Sequence, residues 1–145
     1  MVDLYCQVTD VGLVPMYDSD CDEKHRLRVG DTVLCRITRP RNYEFHKKFF
    51  ALVRLTYLNL PEHLHEELNV WSEEDMLACM KLDLGYATTI FYEGREIVKL
   101  GSISFAKMDD TECQRFYDRC LFLVQYKYLR GIERDTLLEE IGNFL

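Results

Sequence analysis

The segment RPRNYEFHKKFFALVR, residues 39–54, is basic and aromatic within an acidic chain. The window 36–54 holds six Lys or Arg and one acid, so it carries +5, whereas the whole chain carries −7. A local field of one sign can attract an anionic partner without making the whole surface adhesive. The window is also rich in aromatic side chains: Tyr43, Phe45, Phe49 and Phe50. We interpret it either as a helix that packs one face on the core and binds phosphates with the other, or as a core helix with a solvated basic side.

Helical periodicity supports both interpretations. Asn42 is predicted to cap the helix, because its side-chain oxygen can accept a hydrogen bond from a free N–H of the first turn. The helix is predicted near residues 43–58. At about 100° per residue, Phe45 and Phe49 share a face with Leu52 and Val53. The opposite face is predicted to hold Glu44, Lys47, Lys48, Ala51 and Arg54.

The bulk composition is that of a globular protein. With 145 residues, 48% of them hydrophobic and only three prolines, the chain is long and apolar enough to fold as one domain over residues 1–145. No apolar run reaches the length of a membrane span, and the first residues lack a signal-peptide pattern. The six cysteines show no C-x-x-C spacing, which favours a reducing cytoplasm without structural zinc.

The remaining patterns predict an α+β fold. Strands are expected at residues 2–8 and 29–38, with a polar connection at 18–24 between them. A hairpin is expected near 86–105 around Glu93-Gly94. The N-terminal strands and the hairpin are expected to form one small antiparallel sheet. This sheet would pack against helices near 43–58, 73–84 and 109–129. Asp135 is expected to cap a last short helix.

The motif R-N-x-x-F-H-K-K-F-F-A-L, which begins at Arg41, resembles the signature of a family of uncharacterised tailed-phage proteins. Further segments match that family in order and spacing. These are the run GLVP at residues 12–15, Gly85-Tyr86, and the run SISFAKMD at residues 102–109 followed by Thr111-Glu112. The resemblance covers nearly the whole chain and implies a phage or prophage protein.

A more distant similarity is to the NinB (Orf) family of recombination proteins from lambdoid phages. It rests on two groups of residues, one at the basic-aromatic helix and one at a late helix. They are Asn42, Lys47, Lys48, Phe50 and Leu52, then Ser104, Met108 and Glu112. The similarity implies an accessory protein, dimeric, that binds single-stranded DNA and helps to load a recombinase over single-strand-binding protein.

The leading site candidate is therefore a nucleic-acid surface. Arginine and lysine would neutralise phosphates, and Tyr43 would offer a ring on which a base can stack. The candidate residues are Arg36, Arg39, Arg41, Tyr43, Lys47, Lys48 and Arg54. The alternative is a solvated helix face that balances the acidic loop at residues 62–75. Asn42, His46, Phe45, Phe49 and Phe116 are assigned structural roles.

Three smaller features have a functional and a structural interpretation. His46 is interpreted as a hydrogen-bonded core histidine, the alternative being a residue that titrates near neutrality or orients Asn42. Ser102, Ser104 and Lys107 precede a helix start, where an anion can bind, but the serines can equally satisfy strand and cap hydrogen bonds. The run HLHEE at residues 63–67 lacks the spacing of a metal motif, and no metal or cofactor is predicted.

The sequence therefore predicts a non-enzymatic phage or prophage protein that works in the host cytoplasm and binds single-stranded nucleic acid, with single-stranded DNA as the expected ligand, in recombination or replication. Host single-strand-binding protein or recombinase are the expected protein partners, with no membrane partner. Apolar C-terminal residues favour a homodimer: Leu137, Leu138, Ile141, Phe144 and Leu145. The alternative is a protein-interaction module that engages a host factor through its acidic surface. A small phage nuclease is a third interpretation, for which no nucleophile–base pair or nuclease motif stands out.

Overall fold

A computed structural model describes residues 3–16, 18–38 and 42–145 of the chain. Helices and two short antiparallel sheets make up the described residues, which confirms the predicted α+β class. The chain divides into two compact units, Met1–Thr38 and Arg39–Leu145. A single folding domain over residues 1–145 stays a prediction.

The first unit consists of a hairpin and a short helix. Strand β1 (Cys6–Thr9) pairs antiparallel with β2 (Gly12–Pro15), Cys6 opposite Pro15. Helix α1 spans Asp18–His25, so the prediction of a polar connection at residues 18–24 was wrong. Its sequence DSDCDEKH lacks an apolar stripe. A tertiary contact fixes the helix instead, because the backbone N–H of Tyr5 donates to the buried Asp20 carboxylate at 3.1 Å.

The predicted strand at residues 29–38 was also wrong. The described residues 31–38 form no strand and are exposed along their whole length, including both Val33 and Leu34. The sequence does alternate there, but alternation produces a strand only where a partner strand can receive its hydrogen bonds. No described strand pairs with this segment.

The second unit is mainly helical. Its elements are α2 (Tyr43–Asn59), α3 (Glu62–Leu68), α4 (Glu73–Asp83), strands β3 (Ala87–Tyr92) and β4 (Arg95–Leu100), a 3₁₀ helix (Phe105–Lys107), α5 (Asp110–Leu123), a π-helical turn (Val124–Tyr128) and α6 (Arg134–Asn143). The helices predicted near 43–58, 73–84 and 109–129 are confirmed. The segment that follows Pro61 is helical rather than a loop, and Glu133, not Asp135, precedes α6.

The hairpin β3–β4 is confirmed, but it does not join the N-terminal strands in one sheet. Each pair of strands forms its own two-stranded sheet. Glu93 and Gly94 connect β3 and β4 with φ angles of 49° and 74°, which is the geometry of a tight two-residue turn. Nearly every residue of this hairpin is exposed, so the sheet contributes little to the core.

The hydrophobic core lies between the helices of the second unit. Every buried hydrophobic residue of the described chain falls between Phe49 and Ile141. Helix α2 is the central element, because it contacts α4, α5 and α6. Its buried positions include Ala51 and Leu55 as well as the predicted Phe49, Leu52 and Val53. The buried surface of α2 is therefore wider than the single face that was predicted.

Candidate nucleic-acid interface

Asn42 begins helix α2 in a way that the sequence did not predict. Its backbone is left-handed, with φ 58°, and its side chain makes no capping hydrogen bond. The side-chain Nδ2 instead donates to the carbonyl oxygens of Phe105 and Met108, each at 2.9 Å. Asparagine tolerates this backbone region better than most residues. These two hydrogen bonds connect the start of α2 to the segment that precedes α5.

The aromatic residues of α2 belong to the core. Phe49 is 1% exposed, and its ring centroid lies 5.5 Å from that of Phe116 and 5.8 Å from that of Phe105. Phe45 is half-buried with its ring edge-on to Tyr117, at a centroid distance of 6.2 Å. These distances fit edge-to-face and tilted aromatic packing. The rings at Phe45, Phe49 and Phe116 hold α2 and α5 together.

His46 is buried among the same aromatic residues. Its ring centroid lies 4.6 Å from that of Phe50 and 5.9 Å from that of Phe105. Burial lowers the pKa of His46 to about 4, because removal from water disfavours the charged imidazolium. The side chain is therefore neutral at pH 7 and contributes no positive charge to the surface.

Lys47 and Lys48, here called the α2 lysine pair, are half-buried beside aromatic rings. The Nζ of Lys47 lies 5.4 Å from the centre of the Tyr43 ring and 3.4 Å from the Glu44 carboxylate. The Nζ of Lys48 lies 5.6 Å from the centre of the Phe45 ring and 5.9 Å from that of Tyr117. Such cation–π contacts are compatible with a partly solvated ammonium group. The structure thus places Lys47 beside Tyr43, and Lys48 beside Phe45 and Tyr117.

The other predicted basic residues do not extend this cluster. Arg54 lies two turns further along α2, where its Nε donates to Glu73 at 2.9 Å. Ala51, between Lys47 and Arg54 on that side, is buried, which corrects the prediction of a continuous solvent-facing basic face. Arg36 is exposed within the first unit. Arg39 and Arg41 lie outside the described residues.

The proposed anion site before α5 faces carboxylates of its own chain. Asp109 accepts from the Glu112 backbone N–H at 2.7 Å, and Glu112 accepts from the Asp109 N–H at 3.1 Å, which completes a capping box. Asp110 adds a third acid to the first turn. Ser104 makes no side-chain capping bond, and Ser102 and Lys107 are exposed. An added anion would meet negative charge at this helix end.

The structure has a second basic and aromatic surface, which the sequence patterns above did not predict. The outer face of α5 and its π-helical turn exposes Arg115, Arg119, Phe122 and Tyr126 at spacings of four, three and four, and the exposed Arg130 follows two residues after the turn. We call it the α5 arginine–aromatic face. The buried stripe of α5 holds Cys113, Phe116 and Cys120. Reading the opposite stripe for aromatics with the same periodicity would have found this face.

The HLHEE run forms helix α3 and its histidines do not converge on a metal site. His65 Nδ1 lies 2.8 Å from the Val70 carbonyl oxygen, and its ring stacks on Trp71 at 5.9 Å. Among residues 3–16, 18–38 and 42–145, no three His, Cys, Asp or Glu side chains group as a metal site would require. Within the same ranges every helix is too short or too polar to traverse a lipid bilayer.

Comparison with known proteins gives one similarity. Residues 4–62 match the model of a family described as a protein of unknown function (DUF1367). The match includes the basic-aromatic helix α2 and stops before the hairpin and α5. It confirms the expectation of an uncharacterised family over this segment, whereas the phage origin and the NinB similarity stay predictions. No curated protein matches the chain. No solved structure matches it either.

Proposed function

We propose that this protein binds single-stranded nucleic acid as a non-enzymatic accessory protein of phage or prophage recombination or replication. The observation that supports the proposal is the α2 lysine pair, with Lys47 over the Tyr43 ring and Lys48 over the Phe45 ring near one helix start. Glu44 is the single acid in residues 43–54. Other parts of the proposal rest on the phage-family and NinB resemblances. These are the role in recombination or replication, the homodimer, and the partnership with host single-strand-binding protein or recombinase.

The chemistry of such a group suits a strand with unpaired bases. Lysine ammonium groups near phosphates release condensed counterions, which makes binding weaken as salt rises. The half-exposed Tyr43 ring offers a surface on which a base can stack. Two lysines imply a modest electrostatic contribution, about −1.4 for the slope of log K against log salt on a single strand.

The proposal is tested by fluorescence anisotropy with a labelled oligothymidylate at several salt concentrations. We expect wild-type binding that weakens with salt, and a loss of affinity of about tenfold in Lys47→Ala/Lys48→Ala. The matched control is Lys24→Ala/Arg26→Ala, which removes two exposed cations, one from α1 and one from the turn after it, and has the same net charge as the α2 double variant. No wild-type binding at low salt would reject the proposal, and equal losses in both double variants would assign the effect to net charge alone.

A second candidate is a protein-interaction module, which one specific observation favours. Trp71 is 60% exposed and Leu58 is 61% exposed, beside an acidic set: Glu62, Glu66, Glu67, Glu73, Glu74 and Asp75. Exposed tryptophan is enriched among the residues that dominate binding energy at interfaces. Purified host recombinase and single-strand-binding protein, titrated against wild type and Trp71→Ala, test this candidate. Binding that Trp71→Ala abolishes would favour it, and unchanged binding would contradict it.

A further inference from the structure

The α5 arginine–aromatic face carries two aromatic rings that the core does not use. Phe122 is 63% exposed and Tyr126 is 73% exposed. Their ring centroids lie 5.3 Å apart with an interplanar angle of 18°, so they form a nearly parallel pair. The core side of the same segment is filled by Cys120, Leu121 and Val124. The exposed pair therefore stands outside the packing that holds α5 in place.

Cations flank the ring pair on both sides. Arg115 and Arg119 precede it on α5, and Lys127 and Arg130 follow it. Arg119 is oriented by a bond from its Nη2 to the Leu84 carbonyl oxygen at 3.1 Å. The window 115–130 contains four Lys or Arg and one acid, so it carries +3 in a chain of −7.

The acids near this face are already engaged by cations. Asp118 accepts from Arg134 Nη2 at 2.7 Å, and this bond holds the pKa of Asp118 below its usual range. Asp83 accepts from Lys127 Nζ at 2.8 Å and from the Tyr128 hydroxyl. Arg115 and Arg130 form no ion pair within the described part of the chain. Positive charge therefore predominates beside the exposed rings.

We propose that the α5 arginine–aromatic face binds single-stranded nucleic acid by stacking bases on Phe122 and Tyr126, with Arg115, Arg119 and Arg130 on the phosphates. This inference rests on the proposed function and adds to it a second binding site, which the sequence did not indicate. Stacking accepts any base, because every base presents a π face, and it requires bases that are not already paired in a duplex. Arg115 and the end of the π-helical turn, two residues before Arg130, are separated by roughly 20 Å of helix, enough for a strand of about four nucleotides.

Charge complementarity favours a single-stranded nucleic acid over a second copy of the chain as the occupant of this face. An interface with a second copy of the chain would bring Arg115, Arg119 and Arg130 toward like charges, and nearby acids that could oppose them are already bonded to Lys127 and Arg134. A polyanion instead finds cations on both sides of the rings. A groove beside the face runs between the end of α4 and α5. Arg119, Phe122 and Arg130 line it, together with Asp83 and Asp118, which are paired with Lys127 and Arg134.

The test measures anisotropy of a labelled oligothymidylate of about 20 nucleotides with the full chain. We expect Phe122→Ala/Tyr126→Ala to weaken binding by roughly tenfold or more, because each lost base stack weakens binding severalfold. The slope against salt should be unchanged, since no cation is removed. Phe91→Ala/Tyr92→Ala is the matched control, because it removes two exposed aromatics from the hairpin, and it should leave affinity within about twofold.

Two further variants separate stacking from charge. Arg115→Ala/Arg130→Ala should weaken binding and make the salt slope shallower by about 1.4, since two phosphate contacts are lost. An abasic oligonucleotide of the same length should bind wild type and Phe122→Ala/Tyr126→Ala equally, because it has no bases to stack. Phe122→Leu/Tyr126→Leu keeps apolar bulk, and loss of binding in this variant with an unchanged circular dichroism spectrum supports stacking rather than a folding defect.

The outcomes distinguish this inference from the proposed function. Unchanged oligothymidylate affinity in Phe122→Ala/Tyr126→Ala, with reduced affinity in Lys47→Ala/Lys48→Ala, overturns the α5 site and leaves the proposed function standing. No binding by wild type overturns both. Loss of self-association in the α5 variant by analytical ultracentrifugation, with oligothymidylate affinity unchanged, assigns the face to a second copy and also overturns the inference.

Discussion

The start of α2 and the outer face of α5 are both basic and aromatic, but they differ in what their aromatic rings contact. In α2, Phe49 is 1% exposed and packs against Phe105 and Phe116. In α5, Phe122 and Tyr126 contact each other and solvent. The same residue types therefore stabilise the fold in one helix and remain available to a ligand in the other. Local composition does not distinguish these two situations, whereas the side of the helix on which a residue falls does.

The strongest test of this comparison is to remove one ring from each helix. Phe49→Ala should lower the free energy of unfolding by about 3–5 kcal/mol, because a fully buried ring is replaced by a cavity. Phe122→Ala should change it by less than about 0.5 kcal/mol. Urea denaturation followed by circular dichroism measures both. Similar losses in the two variants would show that the α5 ring is also part of the core.

Substitutions of Asn42 test whether the start of α2 serves mainly to stabilise the fold. Asn42→Ala should lower the free energy of unfolding by about 2 kcal/mol, since it removes both bonds to the Phe105 and Met108 carbonyls and places alanine at φ 58°. Asn42→Gly removes the same bonds but accepts the backbone conformation. It should therefore recover about 1 kcal/mol of the loss. Equal stability of the two variants would mean that backbone conformation contributes nothing.

Burial of His46 makes the stability of the α2 region depend on pH. Burial lowers the pKa of His46 to about 4 in the folded chain, whereas an unfolded histidine titrates near about 6.5. The unfolded state therefore binds more protons between these values, and stability falls as pH drops from 7 towards 4. The contribution between pH 7 and pH 5 should be on the order of 1–2 kcal/mol.

The measurement is urea denaturation at pH 7 and at pH 5 with His46→Phe and a control. His46→Phe should lose less stability on acidification than wild type does, because phenylalanine has no proton to bind. His63→Gln is the control, since His63 is exposed on α3, and it should keep the wild-type difference. An unchanged pH response in His46→Phe would contradict the role of burial.

Local signals account for the parts of the fold that the sequence predicted. Periodicity located α2, and the Glu93-Gly94 pair located the hairpin, because both depend on neighbours within a few residues. Helix α1 was missed because a distant bond between Tyr5 and Asp20 fixes it. Residues 31–38 alternate without forming a strand, since pairing depends on a partner that alternation does not reveal.

The candidate site was predictable to a smaller extent. The residues Tyr43, Lys47 and Lys48 were found because they are adjacent on one helix. The contact of Lys48 with the Tyr117 ring, at 5.9 Å, joins residues far apart in the chain and has no local signal. The two bonds from Asn42 to Phe105 and Met108 likewise depend on tertiary structure. The residues could be predicted from the sequence. The tertiary contacts, which decide whether their charges and rings can reach a ligand, could not.

The smallest expected effect concerns Arg54. It belongs to the basic window 36–54, but its guanidinium is paired with Glu73. Both side chains are partly exposed, at 39% and 33%, so a double-mutant cycle with Arg54→Ala and Glu73→Ala should give a coupling of about 0.2–1 kcal/mol that shrinks with added salt. Arg54→Ala should leave oligothymidylate affinity within about twofold, since the guanidinium already has an anionic partner. A much larger loss of affinity would mean that nucleic acid displaces Glu73, and would extend the α2 binding surface from the lysine pair to Arg54.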